Sequence, residues 1–248
     1  MSGLWFALAF LTRLPTPRLD FDDVAGQSAA LAWYPAVGGL IGLGLVALAL
    51  GLETLQLPAL LSAALLLAAW VWVSGGLHLD GLADCADAFS GGHGDRERLL
   101  RILKDPAAGP MGVIAIVLIL LLKLAALTAL VETQALAWLL VLPPLLGRAG
   151  AVALFLPATG LPYLREGGLG ARLAAAPMVP CLIVLLLSAG ACLLMGFPGL
   201  AALIAAAIAW LHWRSQCARC MGGFTGDAAG SAIERVELAA LLALAVLA

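Results

Sequence analysis

Asparagine is absent from the 248 residues, so the chain carries no N-glycosylation sequon. Charge is scarce. Asp, Glu, Lys and Arg together make up 11%, against about 25% in a soluble domain. Cysteine is sparse, with five residues at irregular positions, 85, 181, 192, 217 and 220, which do not make a disulfide framework. Cys217-x-x-Cys220 has no second pair, so two small buried thiols are a plainer reading than zinc. The N-terminus lacks a basic region and a small-residue cleavage site, so no signal peptide is expected. The net charge of −2 argues against nucleic acid as a partner.

Hydrophobic residues supply 63% of the chain. A soluble fold of this length could not hide that much apolar surface. The reading is a polytopic membrane protein whose partner is the lipid bilayer. Residues 2–12 are too short to span, and Arg13, Pro15, Pro17 and Arg18 end them. They predict an interfacial or re-entrant helix, followed by a solvated loop with Asp20, Asp22 and Asp23. Spans are expected at 35–52 and at 58–75, the latter running straight into an acidic segment. Residues 111–131 and 135–156 predict a hairpin around Glu132, and 177–195 with 198–213 another around Gly196-Phe197-Pro198. A last helix from near Ala228 could cross, carrying Glu234, Arg235 and Glu237 in its first turns. The expected fold is an all-α polytopic integral membrane helical bundle. It has about six to seven transmembrane helices plus the short N-terminal one, forming one integral membrane domain over 1–248.

Orientation follows from Lys and Arg. Arg13, Arg18, Arg96, Arg98, Arg101, Lys104, Arg165, Arg172, Arg214, Arg219 and Arg235 fall on one side of this map. The opposite loops, near Glu53, Glu132 and Pro198, hold none. The basic side is expected to be cytoplasmic, with the active site built there from segments 76–112, 147–172 and 214–235.

Asp80, Asp84 and Asp87 stand at i, i+4 and i+7 directly after an apolar run. At about 100° per residue, a helix puts them in a stripe roughly 60° wide and about 10 Å long. Like charges on one face repel, and a divalent cation held by oxygen ligands explains them best. A solvated acidic helix end is the plainer alternative. Segment 101–112 places Arg101, Lys104 and Asp105 before a Gly- and Pro-rich turn with Gly109 and Gly112, which opens a helix at Met111. Such a loop presents N–H groups to an anion, and Arg101 and Lys104 add charge against phosphate. It could equally be a basic topology signal. Segment 222–230 surrounds Asp227 with Gly223, Thr225 and Gly226. Asp227 either caps the last helix or completes a metal site from a distant part of the chain. Lys123 and Arg148 lie inside spans, where charge is costly and marks function by default. Arg148 is expected to snorkel or to reach a substrate phosphate or an acid, and Lys123 to make an internal salt bridge. His78 reads as interfacial, and His93 and His212 as incidental.

These residues resemble a known family. Gly75-Gly-Leu-His-Leu-Asp-Gly-Leu-Ala-Asp84, with Asp87, is similar to the signature of the adenosylcobinamide-GDP ribazoletransferase (cobalamin synthase) family. Phe10-Leu-Thr-Arg-Leu-Pro15, Lys104-Asp105 with Gly109 and Gly112, Arg165-Glu-Gly-Gly-Leu-Gly170, and Gly222-Gly-Phe-Thr-Gly-Asp227 with Gly230 and Glu234 also fit, in order, over nearly the whole chain. Gly147-Arg148 falls where the family often has an Arg. Ala88, the spacer residues Pro106-Ala107-Ala108 and Pro110-Met111, and Phe224 depart from the family pattern. The resemblance implies a multi-pass inner-membrane enzyme of the late, nucleotide-loop-assembly step of cobalamin biosynthesis. A hydroxyl of α-ribazole, or of its 5′-phosphate, attacks adenosylcobinamide-GDP, GMP leaves, and Mg²⁺ is required. The metal is then expected on Asp80, Asp84, Asp227 and Asp105. Asp87, Lys104 and Arg148 are the expected catalytic residues, and Arg101, Lys104, Gly109, Gly112, Arg148, Gly223, Thr225 and Gly226 the expected phosphate contacts. A homo-oligomer, or a complex with other enzymes of nucleotide-loop assembly, fits such a role. Two other readings compete. A membrane phosphotransferase of the CDP-alcohol type also lines up acids at one face, but here no Ala-Arg follows the acids and Asp227 stands alone. A transporter would place charges at midplane and show a repeat, and no repeat is seen.

Overall fold

The structure is a computed structural model that describes residues 2–105, 107–133 and 137–248. Pro106 of the loop spacer and the expected span start at 135 lie outside the described residues. Helices dominate, with no strand among the described residues. They are α1 Ser2–Leu11, α2 Val24–Ala29, α3 Tyr34–Thr54, α4 Ala59–Ser74, α5 Leu77–Gly92 and α6 Arg96–Ile102, then α7 Pro110–Glu132, α8 Leu142–Leu154, α9 Gly168–Leu173, α10 Met178–Leu194, α11 Gly196–Cys220 and α12 Gly226–Leu247.

Four helical segments are long and apolar enough to cross a bilayer: 24–54, 110–132, 137–154 and 196–220. The count becomes five if α4 and α5 are one bent span. The expected six to seven is therefore not reached by length and composition. α10 is apolar but has only 17 residues, about 26 Å at 1.5 Å per residue. α12 has 22 residues but carries Asp227, Glu234, Arg235 and Glu237, which lower its hydropathy. Outward faces of α7, α10 and α11 expose Leu121, Leu186 and Ile208, each by more than half. Such a surface suits lipid and would aggregate in water.

α12 is the central helix and packs on α5, α7, α8 and α11. α3 packs on α8 backbone to backbone. A Cβ on Gly38 would sit 2.3 Å from the Pro144 carbonyl, and one on Gly42 2.6 Å from Val141 Cα. Small residues allow this close approach in membrane bundles.

The expectation that residues 58–75 run straight into the acidic stripe is corrected. Gly75 and Gly76 are both left-handed, at φ 69° and 72°, a conformation glycine adopts without steric cost. They stop α4, and α5 leaves at 87° to it. α5 thereby leaves the end of α4 and packs on α7 and α12, with Leu79 and Leu82 in the same apolar cluster as Ile119 and Leu238. α11 runs on past the expected end at residue 213 to Cys220, so Arg214 and Arg219 are helical. α1 is tied to the same end, where Arg13 N–H donates to the Val73 carbonyl at 2.8 Å. The expected solvated loop supplies a cap instead, since Asp23 accepts the Gly26 N–H at 2.7 Å. All five cysteines are free thiols, and Cys217 is buried while Cys220 is exposed, so the expected buried pair is only half realised.

Candidate active site

α5 carries all three stripe acids on one helix. Gly81, between Asp80 and Asp84, is in backbone contact with the start of α12. A Cβ there would lie 2.7 Å from the Asp227 carbonyl oxygen and 3.0 Å from its Cα. This contact brings Asp227 beside Asp80 and Asp84. Asp227 sits in the first turn of α12, behind an N-cap in which Thr225 Oγ1 accepts the Ala228 N–H at 3.3 Å. Its Oδ2 takes a hydrogen bond from Arg165 Nη2 at 2.6 Å and one from Thr225 Oγ1 at 3.3 Å.

Arg165 is held by backbone pairing between two loops. Leu164 N–H donates to the Phe224 carbonyl at 2.9 Å, and Phe224 N–H to the Pro162 carbonyl at 3.0 Å. Phe155, Tyr163 and Phe224 pack ring to ring at centroid distances of 4.8 to 5.8 Å. That packing explains the apolar residue at 224, which is buried. Gly223 abuts the Pro162 carbonyl, where a Cβ would come within 2.4 Å. Arg165 also donates to the Leu103 carbonyl at 2.9 Å, which joins the end of α6 to the site.

Asp87 faces the start of α7. Its carboxylate accepts the Gly109 N–H at 2.7 Å and the Gly112 N–H at 2.9 Å. A carboxylate at a helix N-terminus is favoured by the unsatisfied N–H groups there. A Cβ on Gly109 or Gly112 would fall 2.4 or 2.5 Å from that carboxylate. The two N–H groups expected to meet a phosphate thus have a protein partner, and Asp87 acts as a clamp on the loop. Arg101, Lys104 and Asp105 are exposed on the same segment, and Asp105 accepts the Ala107 N–H at 3.0 Å in a local turn.

The acid group is electrostatically unbalanced. Burial, together with the charges of Asp80, Asp227 and Asp87, pushes the Asp84 carboxyl up to about 6, against a smaller opposing pull from Arg165. Accumulated carboxylates of this kind are oxygen donors suited to a hard cation. No three His, Cys, Asp or Glu side chains among the described residues close around one point. Mg²⁺ keeps several waters and takes one or two carboxylates plus phosphate oxygens, so Asp80 and Asp84, one turn apart, fit such a partial shell.

Arg148 stands elsewhere. It is fully buried in α8 and ion-paired to Glu237, and its Nη2 lies 3.5 Å from His78 Nδ1. Lys123 Nζ bridges Glu234 at 2.7 Å and Glu237 at 2.6 Å, with the Trp70 ring centroid 4.5 Å away. The internal salt bridge expected of Lys123 is present. The structure does not bring Arg148 to the acid group, because α12 offers it a nearer carboxylate. His78, read as interfacial, is buried.

A cavity of about 230 Å³ opens beside the acids. Asp80, Arg165 and Asp227 share its wall with Phe10, Tyr34 and His78.

Comparison with known proteins shows the family. A family model described as cobalamin-5-phosphate synthase matches residues 3–245. A protein from Pseudomonas syringae pv. syringae (strain B728a), named adenosylcobinamide-GDP ribazoletransferase, is 49% identical over the full length of both chains. A protein of the same name from Pseudomonas fluorescens (strain SBW25) is 48% identical, covering 99% of this chain and all of that one. The chain belongs to the cobalamin-5-phosphate synthase family. No solved structure matches it.

As a member of this family the protein is a transferase and a multi-pass membrane protein. Sequence reasoning placed Arg165 in a family-like loop without a role, set His78 aside and passed over Tyr34. Arg165 had a usable signal, as a cation beside a Gly-Gly turn. Tyr34 had none, because only the tertiary fold carries it to the cavity.

Proposed function

We propose that the protein joins adenosylcobinamide-GDP to α-ribazole, or to its 5′-phosphate, giving adenosylcobalamin or its 5′-phosphate and GMP. The convergence of Asp80, Asp227 and Arg165 on the wall of one cavity, with Asp84 within reach of their charges, carries this reading. The names of the full-length relatives support the substrates.

In the reaction an acceptor hydroxyl oxygen bonds to the cobinamide-side phosphorus. The bond from that phosphorus to the GMP oxygen breaks, and the hydroxyl proton is released. Phosphoryl transfer depends on positioning and charge neutralisation more than on covalent chemistry. Asp80 and Asp84 would hold Mg²⁺, with Asp227 beside them. When bound, that ion would supply charge neutralisation at the phosphate and the leaving oxygen. Arg165 orients Asp227 and brings a guanidinium to the cavity wall. Arg101 and Lys104, exposed on the neighbouring segment, attract the diphosphate. Asp87 acts by fixing the turn at residues 109–112 that follows them. Arg148 supports Glu237 and His78 and is left out of phosphate binding. The Lys and Arg asymmetry favours a plasma-membrane location with this end of the bundle in the cytoplasm.

The test is purified full-length protein in detergent with adenosylcobinamide-GDP, α-ribazole and Mg²⁺. Release of GMP that stops on chelation is expected. Absence of GMP release at saturating substrates would refute the reading, and detergent removes any account based on transport.

A further inference from the structure

Two residues of the cavity wall carry polar groups that the chemistry above does not use. Tyr34 Oη and His78 Nε2 are buried, each on a residue only 3% exposed, and neither has a hydrogen-bond partner among the described residues. Both residues line the cavity. Buried polar atoms are normally paired, so two unpaired ones beside one cavity point to a guest.

The other nitrogen of His78 decides what it offers. Nδ1 faces Arg148 Nη2 at 3.5 Å, and a guanidinium can only donate. Nδ1 is therefore the acceptor, and in the neutral ring the proton lies on Nε2. His78 presents a donor, while the Tyr34 hydroxyl can donate or accept. Phe10, Leu11, Phe155 and Leu173 make the wall around them apolar, and Asp80 and Asp227 share it on the polar side. A matching guest is flat and apolar, has one acceptor atom in its ring, and ends in a group suited to the acids.

We infer that this cavity receives the azole base of the acceptor nucleoside, with His78 Nε2–H donating to its unsubstituted ring nitrogen. The inference rests on the proposed function. In an N-glycosylated benzimidazole-type base one ring nitrogen bears the sugar and the other keeps an in-plane lone pair. The fused carbocycle is apolar, like the wall. The sugar on the first nitrogen then extends toward Asp80 and Asp227. A base with further ring nitrogens and an exocyclic amine would bring unpaired polar groups against Phe10, Leu11 and Leu173, so the same wall selects against purines.

The test compares two acceptors by calorimetry on full-length protein in detergent with Mg²⁺: α-ribazole, and its indole analogue with C–H in place of the free ring nitrogen. Wild type should bind α-ribazole about tenfold or more tightly than the analogue. His78→Phe, which keeps a ring and removes the donor, should bind both alike, while His78→Gln should retain part of the preference. The affinity for adenosylcobinamide-GDP should stay within about twofold in both variants, since the donor faces the other substrate. Equal binding of the two acceptors by wild type overturns the inference, whether or not the variants fold. A preference that persists in His78→Phe also overturns it. Binding of α-ribazole with the expected preference, but without GMP release in the turnover assay, would remove the proposed function and leave the base site standing.

Discussion

Lys123, Arg148, Glu234 and Glu237 form one ionisable group in this protein, and Asp80, Asp84, Asp227 and Arg165 form another. α12 contributes to both. In the first, two cations meet two carboxylates, and every member is buried. In the second, three carboxylates stand near one guanidinium, which pairs with Asp227, and both Asp80 and Arg165 reach solvent. The first group is closed, as an ionic cluster inside a bundle must be, because unpaired charge there is costly. The second is left with surplus negative charge at a cavity. Residue type does not separate the two groups. Pairing and exposure do: one group is internally neutralised between helices, and the other keeps the surplus charge on which the proposed chemistry rests.

The largest expected effect tests the open group. Asp84→Asn keeps shape and removes charge, so the rate of GMP release should fall on the order of a thousandfold, the several kcal/mol that metal-assisted charge stabilisation supplies. Its melting temperature in metal-free buffer should hold or rise, since a repulsion is relieved. Full activity, or loss traced to a collapsed melting temperature, would break the comparison. Next comes the closed group. Glu237→Gln leaves Lys123 and Arg148 facing one carboxylate and should cost about 3–5 kcal/mol of stability, seen as a marked fall in melting temperature. A variant that melts like wild type would show that water already reaches this group.

The smallest effect is in pH. The Asp84 carboxyl is raised in the folded protein to about 6 from 3.8. Between those values the folded state binds the extra proton, so stability falls as pH rises. The metal-free melting temperature should drop modestly from pH 4 to pH 6.5, and Asp84→Asn should flatten that slope. The Mg²⁺ needed for half-maximal rate should rise as pH falls below about 6, where the proton competes with the ion. A slope unchanged in Asp84→Asn would assign the titration to another group.

The spans were legible because long apolar runs report themselves. The expected 35–52 became Tyr34–Thr54, and 111–131 became Pro110–Glu132. The turn at Gly75-Gly76 was not legible as a right-angled bend, since glycine permits a left-handed backbone without requiring it. The end of α11 was missed because Arg214 and Arg219 read as a loop, whereas helix geometry runs on until Gly222 turns left-handed. Asp80, Asp84 and Asp227 could be named from spacing and from glycine neighbours. The partners of Asp87 and Arg148 could not, since they lie 22, 25 and 89 residues away along the chain.

By itself the sequence determined a helical membrane protein with acids and glycine loops gathered toward one face, because hydropathy and helical period are local properties. Only the tertiary structure decided which charges are closed and which stay open. A carboxylate's role depends on what packs against it, and here that was settled by Gly81 letting α12 touch α5 and by α12 bringing Glu237 to Arg148.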